Sequence, residues 1–373
     1  MKSHGALAAL AVLALLFAGG RVRAAPEPIV IGQSLPMTGA SFPIANRVLA
    51  GARAQVERVN ASGGIHGHAI ELVTLDDGGD AQRLASNVRT LVVDRNAVAI
   101  VNCLGERACL AAAEATQALH VPLVGPFSGM RALRTGAHGN VFSMRPDDER
   151  EAGALVRQLR AIGIARAVLL ADESEPVRTE ALALVLRREG IEVTRIAARA
   201  DETTLEKALR GVAQEAPQAL VLSVGPDVLE ALGRLPVAAR DGVPSTIATL
   251  SSTGLTQLTR LFRDRLVGYT SVVPNPEVAH LPIVRELQRD ADAYIGPEAV
   301  TFEGLESYLH LRLCVEALRR GGSGADGSHL SEAIEHLGVL DLGGFAVGFG
   351  RGRHQGSDFV EIGMRARDGR LQQ

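Results

Sequence analysis

The chain lacks tryptophan and has few aromatic residues, few cysteines and no strong excess of charge of either sign. Its 10 histidines and three cysteines are scattered, and neither an HxxxH nor a CxxC spacing occurs among them. Metal ligands recur at such spacings, so we expect no metal site and predict no cofactor. A formal net charge of −3 also offers no basic surface for nucleic acid.

The motifs of nucleotide-dependent and hydrolytic enzymes are missing as well. The first predicted strand ends in the turn Pro36-Met37-Thr38-Gly39, which has no G-x-G-x-x-G pattern. No P-loop and no G-x-S-x-G elbow occurs elsewhere in the chain. An enzyme on a Rossmann-like sheet therefore stays an alternative reading with no motif in its favour.

The first 24 residues have the pattern of a cleavable export signal. Lys2 precedes an apolar run, Ala6 to Ala18, that is too short to span a bilayer comfortably, and small residues stand at Val22 and Ala24. We expect residues 1–24 to be a signal peptide cleaved near Ala24, which places the mature protein outside the cytoplasm; an uncleaved anchor is the alternative. Cleavage removes three basic groups and no acids, so the formal charge moves from −3 to −6.

Strand-like and helix-like periodicities alternate along the rest of the chain. Short apolar runs are separated by amphipathic segments, which is typical of parallel sheets covered by helices on both faces. The predicted strands are 29–35, 70–75, 98–101, 121–124, 167–170, 192–196 and 219–223. So many strands predict an α/β protein with two sheets. Cys103 and Cys109 could form a disulfide in an oxidising compartment or be two buried thiols, and the sequence leaves both open.

In open parallel sheets, ligands bind outside the carboxyl ends of the strands. This rule nominates the loops that follow the predicted strands, among them Gly125-Pro126-Phe127-Ser128-Gly129-Met130. Ser128 supplies a hydroxyl there, and Gly129 lets backbone amides approach an anion. A carboxylate-binding role is the functional interpretation, and an ordinary turn capped by serine is the alternative.

Several segments together resemble one family. They are IVIGQSLPMTG, VNASGGIHG, IELVTLDDGGD, VPLVGPFSGMRAL, FEGLESYLHLRLCVEAL and LDLGGFAVGFGRGRHQGSDFVEI. They resemble the periplasmic solute-binding proteins of ABC transporters, of the branched-chain amino-acid (Leu/Ile/Val-binding) type. The resemblance implies a two-lobed periplasmic-binding-protein-like fold (type I), which closes on a small solute (an amino acid, an amide or a small organic acid) and delivers it to an ABC permease. A monomer is the default expectation, and the sequence leaves the oligomeric state open. A periplasmic sensor that partners a membrane receptor has the same fold and stays possible.

The resemblance also implies where the lobes begin and end. The N-terminal lobe would comprise residues 25–145 and 274–342, and the C-terminal lobe residues 146–273 and 343–373. Three hinge crossings would lie near Arg145–Pro146, Thr270–Pro274 and Leu342–Phe345.

The chain departs from these relatives in the loops expected to hold the ligand. A hydroxyl-bearing loop of the family is replaced by Gly105-Glu106-Arg107-Ala108, and acids stand at Asp148 and Glu175 where relatives often have tyrosine. Ser251 and Ser252 keep a polar loop, and Phe42 and Phe127 are candidate apolar walls. One hypothesis is a clasp for a zwitterion, with Arg107 and Ser128 on the carboxylate and Asp148 or Glu175 on the amine. The alternative is a rim of solvated loop charges.

Overall fold

The computed structural model describes residues 26–262, 265–321, 327–365 and 371–372. The predicted signal peptide, residues 1–24, lies outside this part of the chain. Within it, no helix is both long and apolar enough to cross a membrane.

The first sheet is five-stranded and entirely parallel, in the order β2-β1-β3-β4-β5. Its strands and the helices of this half of the chain are β1 (Ile29–Leu35), α1 (Phe42–Ala61), β2 (Ile70–Asp76), α2 (Ala81–Arg89), β3 (Ala99–Val101), α3 (Glu106–Ala118), β4 (Leu123–Val124) and β5 (Val141–Phe142). Asp80 begins α2 by accepting a hydrogen bond from the Arg83 amide, as expected of an N-cap aspartate.

The second sheet has seven strands in the order β14-β13-β10-β9-β8-β6-β7. The elements that build it and cover it are α4 (Asp148–Ala161), β6 (Arg166–Ala171), α5 (Pro176–Arg188), β7 (Glu192–Ala197), α6 (Glu202–Glu215), β8 (Ala219–Ser223), α7 (Pro226–Arg234), β9 (Thr246–Thr249), α8 (Leu255–Leu261) and β10 (Leu266–Ser271). Strands β6 to β10 pair in parallel. The prediction of two helix-covered parallel sheets is therefore confirmed, except that β13 and β14 add two antiparallel strands at one edge of the second sheet.

The last part of the chain contributes to both halves. It forms α9 (Pro282–Asp290), α10 (Phe302–Gly321), α11 (Gly327–Glu335), the antiparallel hairpin β11 (Val339–Asp341) and β12 (Ala346–Gly348), β13 (Glu361–Arg365) and β14 (Leu371–Gln372). Helix α10 packs on α1 at a point where an added Cβ on Gly51 would lie 1.9 Å from the Gly304 carbonyl oxygen. The two helix backbones touch there, so glycine is required.

The lobe limits stay a prediction, but the packing favours one adjustment. Residues of the 273–349 segment, including Phe345, Val347 and Phe349, share a core with Ile31 and other side chains of the first sheet. Strand β13 instead pairs antiparallel with β10 of the second sheet. We therefore propose that the third crossing follows Phe349 rather than Leu342.

Candidate ligand-binding site

Loops from the carboxyl ends of both sheets meet around a cavity of about 90 Å³. The share of liquid volume of one water molecule is roughly 30 Å³, so this cavity has room for about three waters or one small solute. Its apolar wall includes Ile44, Leu104, Phe127, Val272, Val273 and Phe302. Its polar wall includes Arg145, Glu175, Ser251, Ser252, Glu303 and Glu306.

A buried ion pair forms one side of the cavity. The Nε and Nη2 atoms of Arg145 each donate to a carboxylate oxygen of Glu306 at 2.8 Å, and both side chains are buried. Burial alone would lower the pKa of Arg145, but the attraction of Glu306 outweighs it and raises that pKa. The guanidinium carbon lies 5.4 Å from the centre of the Phe127 ring, a cation–π distance. Both members of this ion pair line the cavity, so the guanidinium charge there is balanced by the Glu306 carboxylate.

A histidine behind Phe127 remains neutral. The ring of His310 meets the Phe127 ring edge-on at 5.3 Å between centres, and its Nδ1 lies 2.8 Å from Oδ1 of Asn102. Burial, assisted by the charge of Arg145, lowers the pKa of His310 to about 3. His310 thus packs the wall without adding a charge at neutral pH.

Glu106 connects the loop after β3 to the beginning of α5. Its carboxylate accepts hydrogen bonds from the backbone N–H groups of Val177 at 3.0 Å and Arg178 at 2.7 Å. Unpaired N–H groups at a helix N-terminus favour an anion, so the contact satisfies both partners. Burial raises the pKa of Glu106, and the hydrogen bonds from Arg178 and Val177 oppose that rise. The chain itself therefore supplies a carboxylate that joins the two halves.

Arg178 was not among the predicted site residues, although it lies in the first turn of α5, shortly after the carboxyl end of β6. Its Nη1 donates to the Ser252 hydroxyl at 2.6 Å, and its Nη2 donates to the Val224 carbonyl at 3.3 Å. The same guanidinium lies 3.8 Å from a carboxylate oxygen of Glu175. Arg178 is 3% exposed, so this cation is fixed by the second sheet's own loops.

A smaller cavity of about 30 Å³ lies beside these groups and holds several predicted residues. It is lined by Gly105, Glu106, Phe127, Ser128, Gly129, Asp148, Glu175, Arg178 and Ser252. The Ser128 hydroxyl accepts a hydrogen bond from the Met130 amide at 3.2 Å, which is the contact expected of a serine-capped turn. Gly129 and Asp148 also line a wider groove of about 540 Å³.

Asp148 packs directly on Gly129, where an added Cβ would lie 1.9 Å from Oδ1. Burial, followed by the charge of Glu151, raises the pKa of Asp148 to about 6. The environment of Asp148 therefore disfavours its charged form.

Ser251 and Thr270 connect the cavity to a buried acid behind it. The Ser251 amide donates to Oε1 of Glu151 at 2.6 Å and to the Thr270 hydroxyl oxygen at 3.0 Å. The Thr270 hydroxyl itself donates to Glu151 through a short hydrogen bond. Glu151, which is fully buried, was not predicted either.

Arg134 fixes the loop after β4 to the first crossing. Its guanidinium donates to the carbonyl oxygens of Ser128, Met130, Arg145 and Pro146 at 2.6–3.2 Å. Burial lowers its pKa to about 10, so it stays protonated at neutral pH.

Two predicted residues lie outside the cavities. Arg107, in the first turn of α3, is exposed, and Phe42, at the start of α1, is 43% exposed. The clasp hypothesis assigned the ligand carboxylate to Arg107, and the structure directs that side chain to solvent. The alternative of a solvated rim fits Arg107 only, because Glu106, Asp148 and Glu175 are buried.

The structure decides between a disulfide and two free thiols at Cys103 and Cys109, which flank the loop after β3. Cys103 and Cys109 form a disulfide, and Cys314 is a buried free thiol. The disulfide joins the end of β3 to the first turns of α3 and so brackets Gly105 and Glu106. Among the described residues, no group of histidine, cysteine and acidic side chains is arranged to hold a metal ion.

Comparison with known proteins identifies the family. A model of the family described as "Periplasmic binding protein" matches residues 28–366. The chain belongs to this family. The resemblance found in the sequence and the expected type I fold are thereby confirmed, and the family's members are binding proteins rather than enzymes.

Individual proteins that are similar to this chain are also binding proteins. An extracellular ligand-binding receptor from Verminephrobacter eiseniae has a TM-score of 0.82 and 25% identity, covering 93% of this chain and 100% of that one. A substrate-binding periplasmic protein from Ralstonia solanacearum has a TM-score of 0.82 and 26% identity, covering 92% and 99%. An "Amino acid binding protein" from Pseudomonas aeruginosa is 27% identical over 123 residues, and the match spans 33% of each chain, about a third of that relative's length.

Proposed function

We propose that this protein is an exported substrate-binding protein that captures a small solute between two closing lobes and delivers it to an ABC permease. The observation that carries the proposal is the cavity of about 90 Å³, whose wall combines Leu104 and Phe127 from the first sheet's loops with Ser251 and Ser252 from the second sheet's loops. A solute held there contacts both halves at once. Ligands that contact both lobes stabilise the closed form by their differential affinity.

The family supports solute capture, and so do the two similar structures, which are a ligand-binding receptor and a substrate-binding periplasmic protein. Export through the predicted signal peptide and delivery to a permease are part of the proposal. In this role the solute leaves chemically unchanged, which separates the proposal from the enzyme alternative.

The test is a thermal-shift and calorimetric screen of the mature protein against amino acids, short amides, and aliphatic and aromatic acids. Binding to the native state alone raises the melting temperature by an amount set by ligand concentration over Kd. A compound that binds should also be recovered unchanged after long incubation. Recovery of a product, or the absence of binding by every compound in the screen, would overturn the proposal.

A pair of variants locates the site. Ser41 lines the cavity at the beginning of α1, while Ser62 lies exposed just beyond the end of the same helix. Ser41→Trp should fill the cavity and abolish binding, because tryptophan adds far more volume than the space left beside a solute. Ser62→Trp adds the same side chain to the surface and should leave binding unchanged. Delivery is checked by reconstituting the protein with its cognate permease in vesicles and measuring uptake of the solute.

A further inference from the structure

Two buried carboxylates in the wall of the smaller cavity accept no hydrogen bond. Asp148 is 5% exposed and Glu175 is 9% exposed, and both line the cavity of about 30 Å³. Among the described residues, Asp148 forms no ion pair, and Glu175 meets only the guanidinium of Arg178, at 3.8 Å. Their oxygen atoms keep accessible surface in the cavity, unlike Oε2 of Glu151, which is sealed within the protein. A solute can therefore reach both carboxylates.

The other acids in the walls of the two cavities are already engaged. Glu306 is bound by Arg145, and Glu303 lies 3.3 Å from Arg47. Glu106 accepts hydrogen bonds from the two backbone N–H groups at the start of α5. These three acids need no counter-charge from a solute.

Asp148 is different, because its charge is not offset by the protein. Burial, followed by the repulsion of Glu151, raises the pKa of Asp148 to about 6, although nearby arginines attract its charge. A carboxyl group with that pKa is mostly ionised at neutral pH. Asp148 is therefore a buried charge that a cation in the smaller cavity would stabilise.

Acids also outnumber arginines where the two halves meet. The acids that line the two cavities or lie directly behind them are Glu106, Asp148, Glu151, Glu175, Glu303 and Glu306. The arginines beside them are Arg47, Arg134, Arg145 and Arg178. A buried charge without a counter-charge is costly, so the site favours a ligand with a net positive charge. A zwitterion would leave the excess of negative charge as it is, and an anion would increase it.

The smaller cavity adjoins the larger one and has room for one small polar group. The two cavities share Gly105, Phe127, Glu175 and Ser252 in their walls. A volume of about 30 Å³ is the share of one water molecule, and an ammonium group has a similar size. A solute with its body in the larger cavity can therefore place an ammonium group beside Asp148.

We propose that the solute is a small primary amine without a carboxylate. Its ammonium group lies between Asp148 and Glu175, and its short apolar body packs against Phe127, Val272 and Phe302. An ammonium group has three N–H donors and no acceptor, so it suits two carboxylates that accept no hydrogen bond from the protein. The inference rests on the proposed function, and it keeps only the amine half of the zwitterion clasp.

The experiment compares four compounds that share an isobutyl body: isopentylamine, isopentanol, leucine and isovalerate. Calorimetric titration at neutral pH should give binding of isopentylamine, with the other three at least about tenfold weaker. Isopentanol lacks the positive charge, and leucine and isovalerate each bring a carboxylate. Equal or tighter binding of any of the three overturns the inference. So does the absence of isopentylamine binding.

A substitution tests the contact itself. Asp148→Asn keeps the shape of the side chain and removes its charge, so it should weaken isopentylamine binding by about 10- to 100-fold, the effect of losing a hydrogen bond to a charged group. The matched control is Asp147→Asn. Asp147 lines neither cavity and caps α4 by accepting a hydrogen bond from the Arg150 amide at 2.8 Å, and asparagine caps a helix equally well. The control should bind isopentylamine as the wild type does.

Unchanged isopentylamine affinity in Asp148→Asn would overturn the inference. So would an equal loss in Asp147→Asn, because the effect would then not belong to the smaller cavity. Tight binding of leucine or isovalerate would refute the amine ligand and leave solute capture intact. Failure of isopentylamine together with every compound of the wider screen would refute solute capture itself.

Discussion

The contact between Glu106 and the start of α5 yields a quantitative prediction about lobe closure. Glu106 is 4% exposed, and its carboxylate accepts two backbone hydrogen bonds, at 2.7 and 3.0 Å, from the other half of the molecule. Hydrogen bonds to a charged group each contribute roughly 1.5–3 kcal/mol. The contact should therefore hold the lobes closed to a measurable extent even when no solute is bound.

Glu106→Gln keeps the length of the side chain and one acceptor oxygen, but its NH2 group replaces the second acceptor, so one of the two backbone N–H groups at the start of α5 loses its hydrogen bond. We expect it to weaken closure by about 1–3 kcal/mol, which shifts the ratio of closed to open molecules by about 5- to 150-fold. Because ligand affinity falls with the fraction of binding-competent molecules, Kd should rise as that fraction falls. The substitution should alter the equilibrium between open and closed lobes rather than the free energy of global unfolding. Once the lobes separate, water can accept hydrogen bonds from the N–H groups of Val177 and Arg178.

Small-angle scattering without ligand gives the radius of gyration, and a distance between spin labels on the two lobes gives the populations. Glu57→Gln, on the exposed face of α1, changes the net charge equally and is the control. The reasoning is refuted if the ligand-free wild type is fully open, because the Glu106 carboxylate would then be too weak to hold the lobes together. It is refuted equally if Glu106→Gln matches the wild type in both measurements.

Three further predictions concern stability. Burial raises the pKa of Asp148 from 3.8 to about 6, so its contribution to stability is present below pH 3.8 and is lost as pH rises toward 6. The shift corresponds to a loss of about 3 kcal/mol in the free energy of unfolding over this pH range. Asp148→Asn should remove this loss when the free energy of unfolding is measured by urea denaturation at a series of pH values. Replacing both Cys103 and Cys109 by alanine should lower the free energy of unfolding by about 2 kcal/mol, measured the same way, since the disulfide closes a short loop. Gly125→Ala should cost about 2–4 kcal/mol and lower the melting temperature, because Gly125 has a φ of +68° and its Cβ would lie 2.1 Å from the His310 ring; a wild-type melting temperature would contradict that clash.

The sequence predicts the architecture because buried parallel strands have a simple signature. Ala219–Ser223, for example, is a continuous apolar run ended by a serine, and it is fully buried in the structure. The antiparallel strand β13 has no comparable signal, since its residues are mostly half-buried. Its partner β10 lies about ninety residues earlier, and strand pairing over such a distance cannot be read from periodicity alone.

The site was harder to predict because side-chain direction depends on helix phase. Glu106 and Arg107 are neighbours in sequence, but successive residues of a helix point about 100° apart. The first therefore faces α5 and the second faces solvent. The same effect separates Phe42 from Ile44 at the start of α1: Phe42 was the expected wall, and Ile44 lines the cavity.

The groups that govern charge in the cavity could not be paired from the sequence. Arg145 and Glu306 are 161 residues apart, and Glu106 meets Arg178 across 72 residues. Each residue taken alone looks like a candidate for a charged ligand, which is how a zwitterion clasp follows from the loops. In the folded protein these residues bind one another instead, so Arg145 and Glu306 neutralise each other and Glu106 is held by backbone N–H groups.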